Sequence, residues 1–135
     1  MNIKRIKLQA IFENLAEFKK LLTKFLKKQK VDVELSGDIE LGIEELLVNI
    51  INYSYSSQIG EIELQCWCSD NVLVFKIIDN GIPFDATSAA SPELERPLEE
   101  HGSGGMGIYL AQEMLHELQY ERKDGCNILT AKVFL

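Results

Sequence analysis

Cysteine is scarce: Cys66, Cys68 and Cys126 make an odd set with neither CxxC nor metal-finger spacing. Cys66 and Cys68 would share one face of a strand, where a bridge is geometrically poor. A disulfide scaffold is excluded, and small buried thiols in a reducing cytoplasm are expected. Three prolines and nine glycines in 135 residues exclude collagen, while 46% hydrophobic and 26% charged residues exclude a disordered chain. Long apolar runs are missing too. The stretches 46–51 and 72–78 fall well short of the ~20 residues a spanning helix needs. Residues 1–8 have neither an unbroken apolar core nor a small-residue cleavage site. A soluble, cytoplasmic protein with no membrane partner is expected, forming a single domain over residues 1–135.

Each part of the chain is poor in charge of one sign. Residues 1–30 hold nine Lys/Arg against Glu13 and Glu17, a balance of +7, so the net −7 leaves −14 on the remainder. The basic residues do not alternate with stacking aromatics, and the acidic remainder would repel phosphate backbones, so no nucleic-acid partner is expected. A solvated helix face, or a surface for an acidic protein, fits the pattern better.

Apolar periodicity supplies the elements. Ile6, Leu8 and Ala10 alternate as a strand does, and Leu15, Phe18, Leu22, Phe25 and Leu26 recur at helical spacing. Ser36, Gly37 and Asp38 form a start signal for a second helix, whose stripe is Ile39, Ile43, Leu46, Leu47, Ile50 and Ile51. Residues 62–68 alternate, Ser69, Asp70 and Asn71 are turn chemistry, and the β-branched run 72–78 completes a hairpin. Residues 85–101 carry two prolines, no apolar period and a charge of −4, and predict a lid-like loop extending to about residue 104. Ile108, Leu110, Ala111, Met114, Leu115 and Leu118 predict a third helix, Asp124 and Gly125 a turn, and 127–135 a last strand. The order implies an α+β two-layer sandwich, with helices on one face of a mixed, mostly antiparallel sheet.

Three segments carry chemistry. Glu45 and Asn49 stand one turn apart on the second helix, about 40° from one another at the rim of its apolar stripe. An amide oxygen there suits a hard cation such as Mg²⁺, and a neighbouring carboxylate can take a proton. Asp79, Asn80 and Gly81 end an apolar strand, where a carboxylate needs donors to offset desolvation. An exocyclic purine amine is one such donor, and a turn-forming Asp that caps its own backbone is the structural alternative. The run Gly102, Ser103, Gly104, Gly105, Met106, Gly107 leads into a helix, an arrangement that lets backbone N–H groups and a helix N-terminus face an anion. A Rossmann site is excluded because a polar loop precedes the glycines, and a P-loop because no Lys-Ser/Thr follows them.

In this order and spacing, the segments EELLVNIINYSY, DNGIPFD and GGMGIYLAQEMLHELQYERKDGCNILT resemble the N, G1 and G2 boxes of the Bergerat (GHKL) ATP-binding fold. The chain is most similar to its anti-sigma-factor serine/threonine kinase branch. The resemblance implies that Glu45 is the catalytic base, Asn49 the Mg²⁺ ligand and Asp79 the acceptor for the adenine amine. It places Gly81 and Phe84 beside the nucleotide, Gly104, Gly105, Met106 and Gly107 on its phosphates, and the Thr130 hydroxyl behind Asp79 through water. Tyr53 stands where some members have histidine, and Ser103 where many have arginine. His101 and His116 are read as a lid residue and a helix-surface residue. The resemblance implies an enzyme that uses Mg-ATP to phosphorylate a Ser/Thr of an antagonist protein of the STAS type, binds a sigma factor alternately and forms a homodimer. The alternative is a module that binds ATP and captures a partner without phosphoryl transfer.

Overall fold

The computed structural model describes residues 2–55, 59–87 and 111–135. β1 (Lys4–Gln9) leads through a 3-10 turn into α1 (Leu15–Lys28) and α2 (Val33–Tyr53), followed by the hairpin β2 (Glu61–Ser69) and β3 (Val72–Asp79). A second hairpin, β4 (Glu117–Lys123) and β5 (Cys126–Phe134), closes the chain. The sheet order is β1-β2-β3-β5-β4 and every pairing among these strands is antiparallel, so they contain no parallel pair of the kind a mixed sheet would have.

Both hairpins turn on two residues of positive φ, Asp70 with Asn71 and Asp124 with Gly125. This is the combination whose twist matches that of the strands it joins. Register then follows from the alternation of side chains. Ile62, Leu64 and Cys66 of β2, Leu73, Phe75 and Ile77 of β3, and Leu129, Ala131 and Val133 of β5 form one buried face. Phe18, Leu22, Phe25 and Leu26 of α1 and Ile39, Ile43, Leu46, Leu47 and Ile50 of α2 pack in the same cluster. The rings of Phe25 and Phe75 meet edge to face at 5.9 Å, joining helix layer to sheet layer. Cys66 lies in this core, and burial pushes its thiol up to about 12. Cys68 and Cys126 are half-buried and free.

Two element boundaries differ from the sequence expectation. α2 starts at Val33, because the Asp32 carboxylate caps it by accepting from the Leu35 N–H at 2.9 Å. The Ser36-Gly37-Asp38 signal is therefore inside the helix, where a Cβ on Gly37 would meet open space. The third helix is described over 111–114 only and is over before β4 begins at Glu117. Leu115 packs in the core and Leu118 belongs to the strand, so a spacing of three that suits a helix is divided between two elements.

Candidate functional site

The core-facing rows of β3 and β5 end in polar residues. Asp79 continues Leu73, Phe75 and Ile77, and Asn127 continues Val133, Ala131 and Leu129; the two are register partners and each is only 2% exposed. A carboxylate at that depth must be held by donors. Asp79 Oδ1 accepts from the Gly81 N–H at 3.0 Å and from Asn127 Nδ2 at 2.9 Å. Burial raises the Asp79 pKa above its usual 3.8, while the Asn127 and Gly81 hydrogen bonds, the Ser54 hydroxyl and the Arg122 charge act against that shift. The Ser54 hydroxyl lies near the carboxylate without a well-aligned hydrogen bond.

Gly81 is fixed against the end of α2. A Cβ there would lie 2.2 Å from the Ser54 carbonyl oxygen, a backbone atom that cannot swing away. The same oxygen accepts the Ile82 N–H at 2.9 Å. On the other side, the Tyr55 hydroxyl accepts the Asn80 N–H at 3.0 Å, and its proton is shared between the Glu61 carbonyl and Asn80 Oδ1, both at 2.7 Å. The 79–81 turn is thus clamped between the helix end and β2. Phe84 follows, with its N–H on Asn127 Oδ1 at 3.1 Å and its ring 5.5 Å from that of Tyr53.

Glu45, Asn49 and Tyr53 succeed one another at i, i+4 along one side of α2. Asn49 is completely buried, yet neither its Oδ1 nor its Nδ2 has a hydrogen-bond partner among the described residues. Glu45 Oε2 is likewise buried without a partner among the described residues. Burial, then repulsion from Glu44, raises the Glu45 pKa above its ordinary 4.5. Glu44 itself is paired outward with Lys19 at 3.4 Å. Native interiors leave few buried polar groups unsatisfied. A buried amide oxygen without a partner among the described residues suits a hard divalent cation that keeps most of its ligands as water or phosphate, and a carboxylate one turn earlier is left to take a proton. The residues present therefore fit Mg²⁺.

Of the residues singled out from sequence, Asp79, Gly81 and Phe84 meet in one network that abuts the end of the helix bearing Glu45 and Asn49. Thr130 is not brought there. It pairs with Lys76 and sits three residues from Asn127, and an odd separation in a strand turns it to the opposite face of the sheet. It lines a surface groove there with Lys76 and Gln119. Gly104, Gly105, Met106 and Gly107, with His101 and most of the 85–104 loop, lie outside the described residues. His116 is exposed beyond the helical segment, accepting the Phe134 N–H on Nδ1 at 2.8 Å.

Sequence reasoning missed Asn127. Its Oδ1 receives the Phe84 N–H, the Tyr120 hydroxyl at 2.7 Å and Arg122 Nη1 at 3.2 Å, and its Nδ2 also donates to the Ile82 carbonyl at 2.8 Å. Arg122 Nη1 reaches the Gly81 carbonyl at 2.8 Å as well. The available signal was a polar residue in step with the apolar alternation 129, 131, 133, the same anomaly that drew attention to Asp79.

Known proteins bear on the fold and the family. The histidine kinase-like ATPase domain matches residues 8–133. The chain is 34% identical over 104 residues to the serine/threonine-protein kinase BtrW of Bordetella bronchiseptica, covering 76% of this chain and 73% of that one. It is 27% identical over 99 residues to the serine-protein kinase RsbW of Bacillus cereus, covering 70% and 62%. The matched part thus spans about three fifths of the length of the RsbW relatives. Among solved structures, the RsbU and RsbW domains of Rv1364c from Mycobacterium tuberculosis superpose with a TM-score of 0.72 at 17% identity, over 100% of this chain and 33% of that one. The catalytic domain of histidine kinase ThkA gives 0.55 at 12%, over 99% and 97%. A family match over nearly the whole chain, on a sandwich of the same fold, makes this protein a member of the histidine kinase-like ATPase domain family.

Proposed function

We propose that the chain binds Mg-ATP and transfers its γ-phosphoryl group to a serine or threonine of a partner protein, acting as a partner-switching regulator of the anti-sigma type. The observation that carries this reading is the pair of buried, unpartnered polar groups on α2, Asn49 and Glu45 Oε2, on the helix whose end packs against the Asp79 turn. Asp79 would accept the adenine amine, with Gly81 and Phe84 beside the base. The glycines 104, 105 and 107 and Met106 would present backbone N–H groups to the phosphates. Mg²⁺ held by Asn49 Oδ1 would neutralise phosphate charge.

In the transfer, the substrate hydroxyl oxygen bonds to the γ-phosphorus, the bond from that phosphorus to the β-γ bridging oxygen breaks, and ADP leaves. Glu45 takes the hydroxyl proton. Its raised pKa favours that task, since a base works best when its pKa approaches the working pH. Positioning and charge neutralisation supply most of the remaining acceleration. The names of the relatives, both protein kinases, support the same chemistry. The STAS-type antagonist as substrate, the sigma factor as alternate partner, the homodimer and a cytoplasmic location all belong to this reading. Consistent with it, no helix among the described residues is long and apolar enough to cross a membrane.

The test is transfer of labelled phosphate from ATP to a purified STAS-type antagonist from the same organism. Wild type should transfer it. Glu45→Ala should bind ATP within severalfold of wild type and transfer at least about 10²-fold more slowly. Equal rates would remove Glu45 as the base. ATP binding with no transfer to any cognate antagonist would leave a nucleotide-dependent binding module.

A further inference from the structure

The Asn127 amide has one workable orientation. Three donors converge on Oδ1: the Phe84 N–H, the Tyr120 hydroxyl and Arg122 Nη1. Two acceptors, Asp79 Oδ1 and the Ile82 carbonyl, face Nδ2. Exchanging the two ends would set an NH₂ against two N–H donors and an oxygen against a carboxylate. Both Nδ2 protons are therefore committed, one of them to Asp79.

Asp79 Oδ1 also takes the Gly81 N–H, so its two lone-pair positions are filled by donors. No carboxyl proton can settle on that oxygen without displacing one of them. An incoming group has to be met by Oδ2, and the Asn127 and Gly81 donors on Oδ1, with the Arg122 charge, favour the ionised form in which Oδ2 accepts, against the burial that opposes it. An accepting Oδ2 pairs with an amine and repels a carbonyl oxygen. Asn127 alone reaches this carboxylate from β5 and also binds the 82–84 turn and the β4 side chains Tyr120 and Arg122.

We propose that Asn127 is a positioning residue that fixes Asp79 as a hydrogen-bond acceptor and thereby sets preference for 6-amino over 6-oxo purine nucleotides. The inference rests on the reading of Asp79 as the residue that meets the base. It assigns the role to an amide in direct contact rather than to the Thr130 hydroxyl, which lies on the other face of the sheet.

The experiment measures the affinities of the full chain for ATP and ITP, which differ in the 6-amino or 6-oxo group and in N1, an acceptor in ATP and an N–H donor in ITP, by competition against a fluorescent ATP analogue between pH 5.5 and 8.5. Wild type should prefer ATP by at least about 10²-fold, below the roughly 10⁴ to 10⁵ by which a site built to hydrogen-bond one polar group can reject an analogue that lacks it. Asn127→Asp is nearly isosteric but replaces the donor with a second carboxylate, and two adjoining carboxylates hold a proton at higher pH than one. The ATP:ITP ratio should fall at least about tenfold, and its pH midpoint should move upward from that of wild type. Other charged or titratable groups near Asp79 are Arg122 and Tyr120 from β4, Tyr55 after α2, Cys126 from β5, and Lys7, Glu61 and Glu63 around the adjoining groove. All are the same in both proteins, so the difference reports position 127.

Asn127→Ser, which keeps a short hydroxyl, provides the measurement if the aspartate variant does not fold; its ratio should also fall, by at least about threefold. A folded variant with the wild-type ratio and midpoint overturns the role of Asn127. If Asp79→Asn abolishes the preference while the position-127 variants keep it, only this inference fails. A wild type that binds ATP and ITP equally, or neither, overturns the Asp79 reading and this inference together.

Discussion

Replacing Asn49 with leucine should make the empty protein more stable. Asn49 is completely buried and both ends of its amide are without partners among the described residues. Leaving a buried polar group unsatisfied costs about 1–3 kcal/mol, so two such ends amount to about 2–6 kcal/mol. Leucine removes both and adds apolar contact beside Leu46 and Ile50, but forcing a branched side chain into a position shaped for an amide costs about 1–3 kcal/mol. The expected net is a stabilisation of about 1–3 kcal/mol, which for a chain of this size corresponds to a rise in Tm of roughly 3–10 °C. Urea and thermal melts of nucleotide-free protein would read it directly. Mg-ATP should then cancel or reverse the difference. A ligand at one hundred times its Kd adds about 2.7 kcal/mol to the wild type, and the leucine variant, lacking the amide, should gain little. A folded variant that loses more than about 1 kcal/mol without nucleotide would refute the argument, because it would mean that the protein already satisfies the amide.

Further expectations follow from single positions. Gly81→Ala would put a methyl 2.2 Å from the Ser54 carbonyl; it should cost about 2–4 kcal/mol in urea unfolding, from steric overlap and loss of the Ile82 hydrogen bond, and unchanged stability would remove the close approach. Lys30 ends α1 at a φ of 58°, with its N–H on Lys27 and the Val31 N–H on the Leu26 carbonyl. This is a Schellman ending with a lysine where glycine is favoured, so Lys30→Gly should stabilise by about 1 kcal/mol; a loss measured in thermal melts would contradict it. Glu45 has a folded pKa raised above 4.5 by burial and Glu44. Its contribution to stability is thus fully present below that ordinary value and is lost as pH rises through the folded one. The stability of Glu45→Gln relative to wild type should therefore increase from acid pH toward neutrality and then level off; a flat or falling difference in urea titrations would contradict the sign.

Much of the fold could be read from residue spacing, because the signals were strong and local. The alternation at Ile62, Leu64 and Cys66, the helical stripe from Ile39 to Ile50 and the turn residues Asp70-Asn71 and Asp124-Gly125 each name one structure. The start of α2 was harder to read because Asp32 and Ser36 are both competent caps, and which one serves depends on whether the intervening turn is helical. Leu115 and Leu118 misled because a spacing of three is helical on its own and becomes a helix end plus a strand only once β4 has a partner. At the site, the ExxxN spacing and the buried strand-end aspartate were visible as anomalies in apolar patterns. Asn127 carries the same mark, whereas the family resemblance points to Thr130. Which of them faces Asp79 is a matter of strand parity against β3, and parity becomes visible only in the cross-strand register.

Ala86 and Ala111 are both fully buried, and Gln112 Nε2 donates to the Thr87 carbonyl at 2.6 Å. The chain therefore leaves the sandwich and returns to it at nearly one place, and the two ends of residues 88–110 are already joined by the protein around them. With those ends held by buried contacts, the entropy of closing a flexible connection between them grows by only about 0.6 kcal/mol when its length doubles. A change in the length of such a connection would by itself cost the β-sheet, α1 and α2 little. The scaffold that holds Asn49 and Asp79 is thereby insulated from the length of the chain between Thr87 and Ala111.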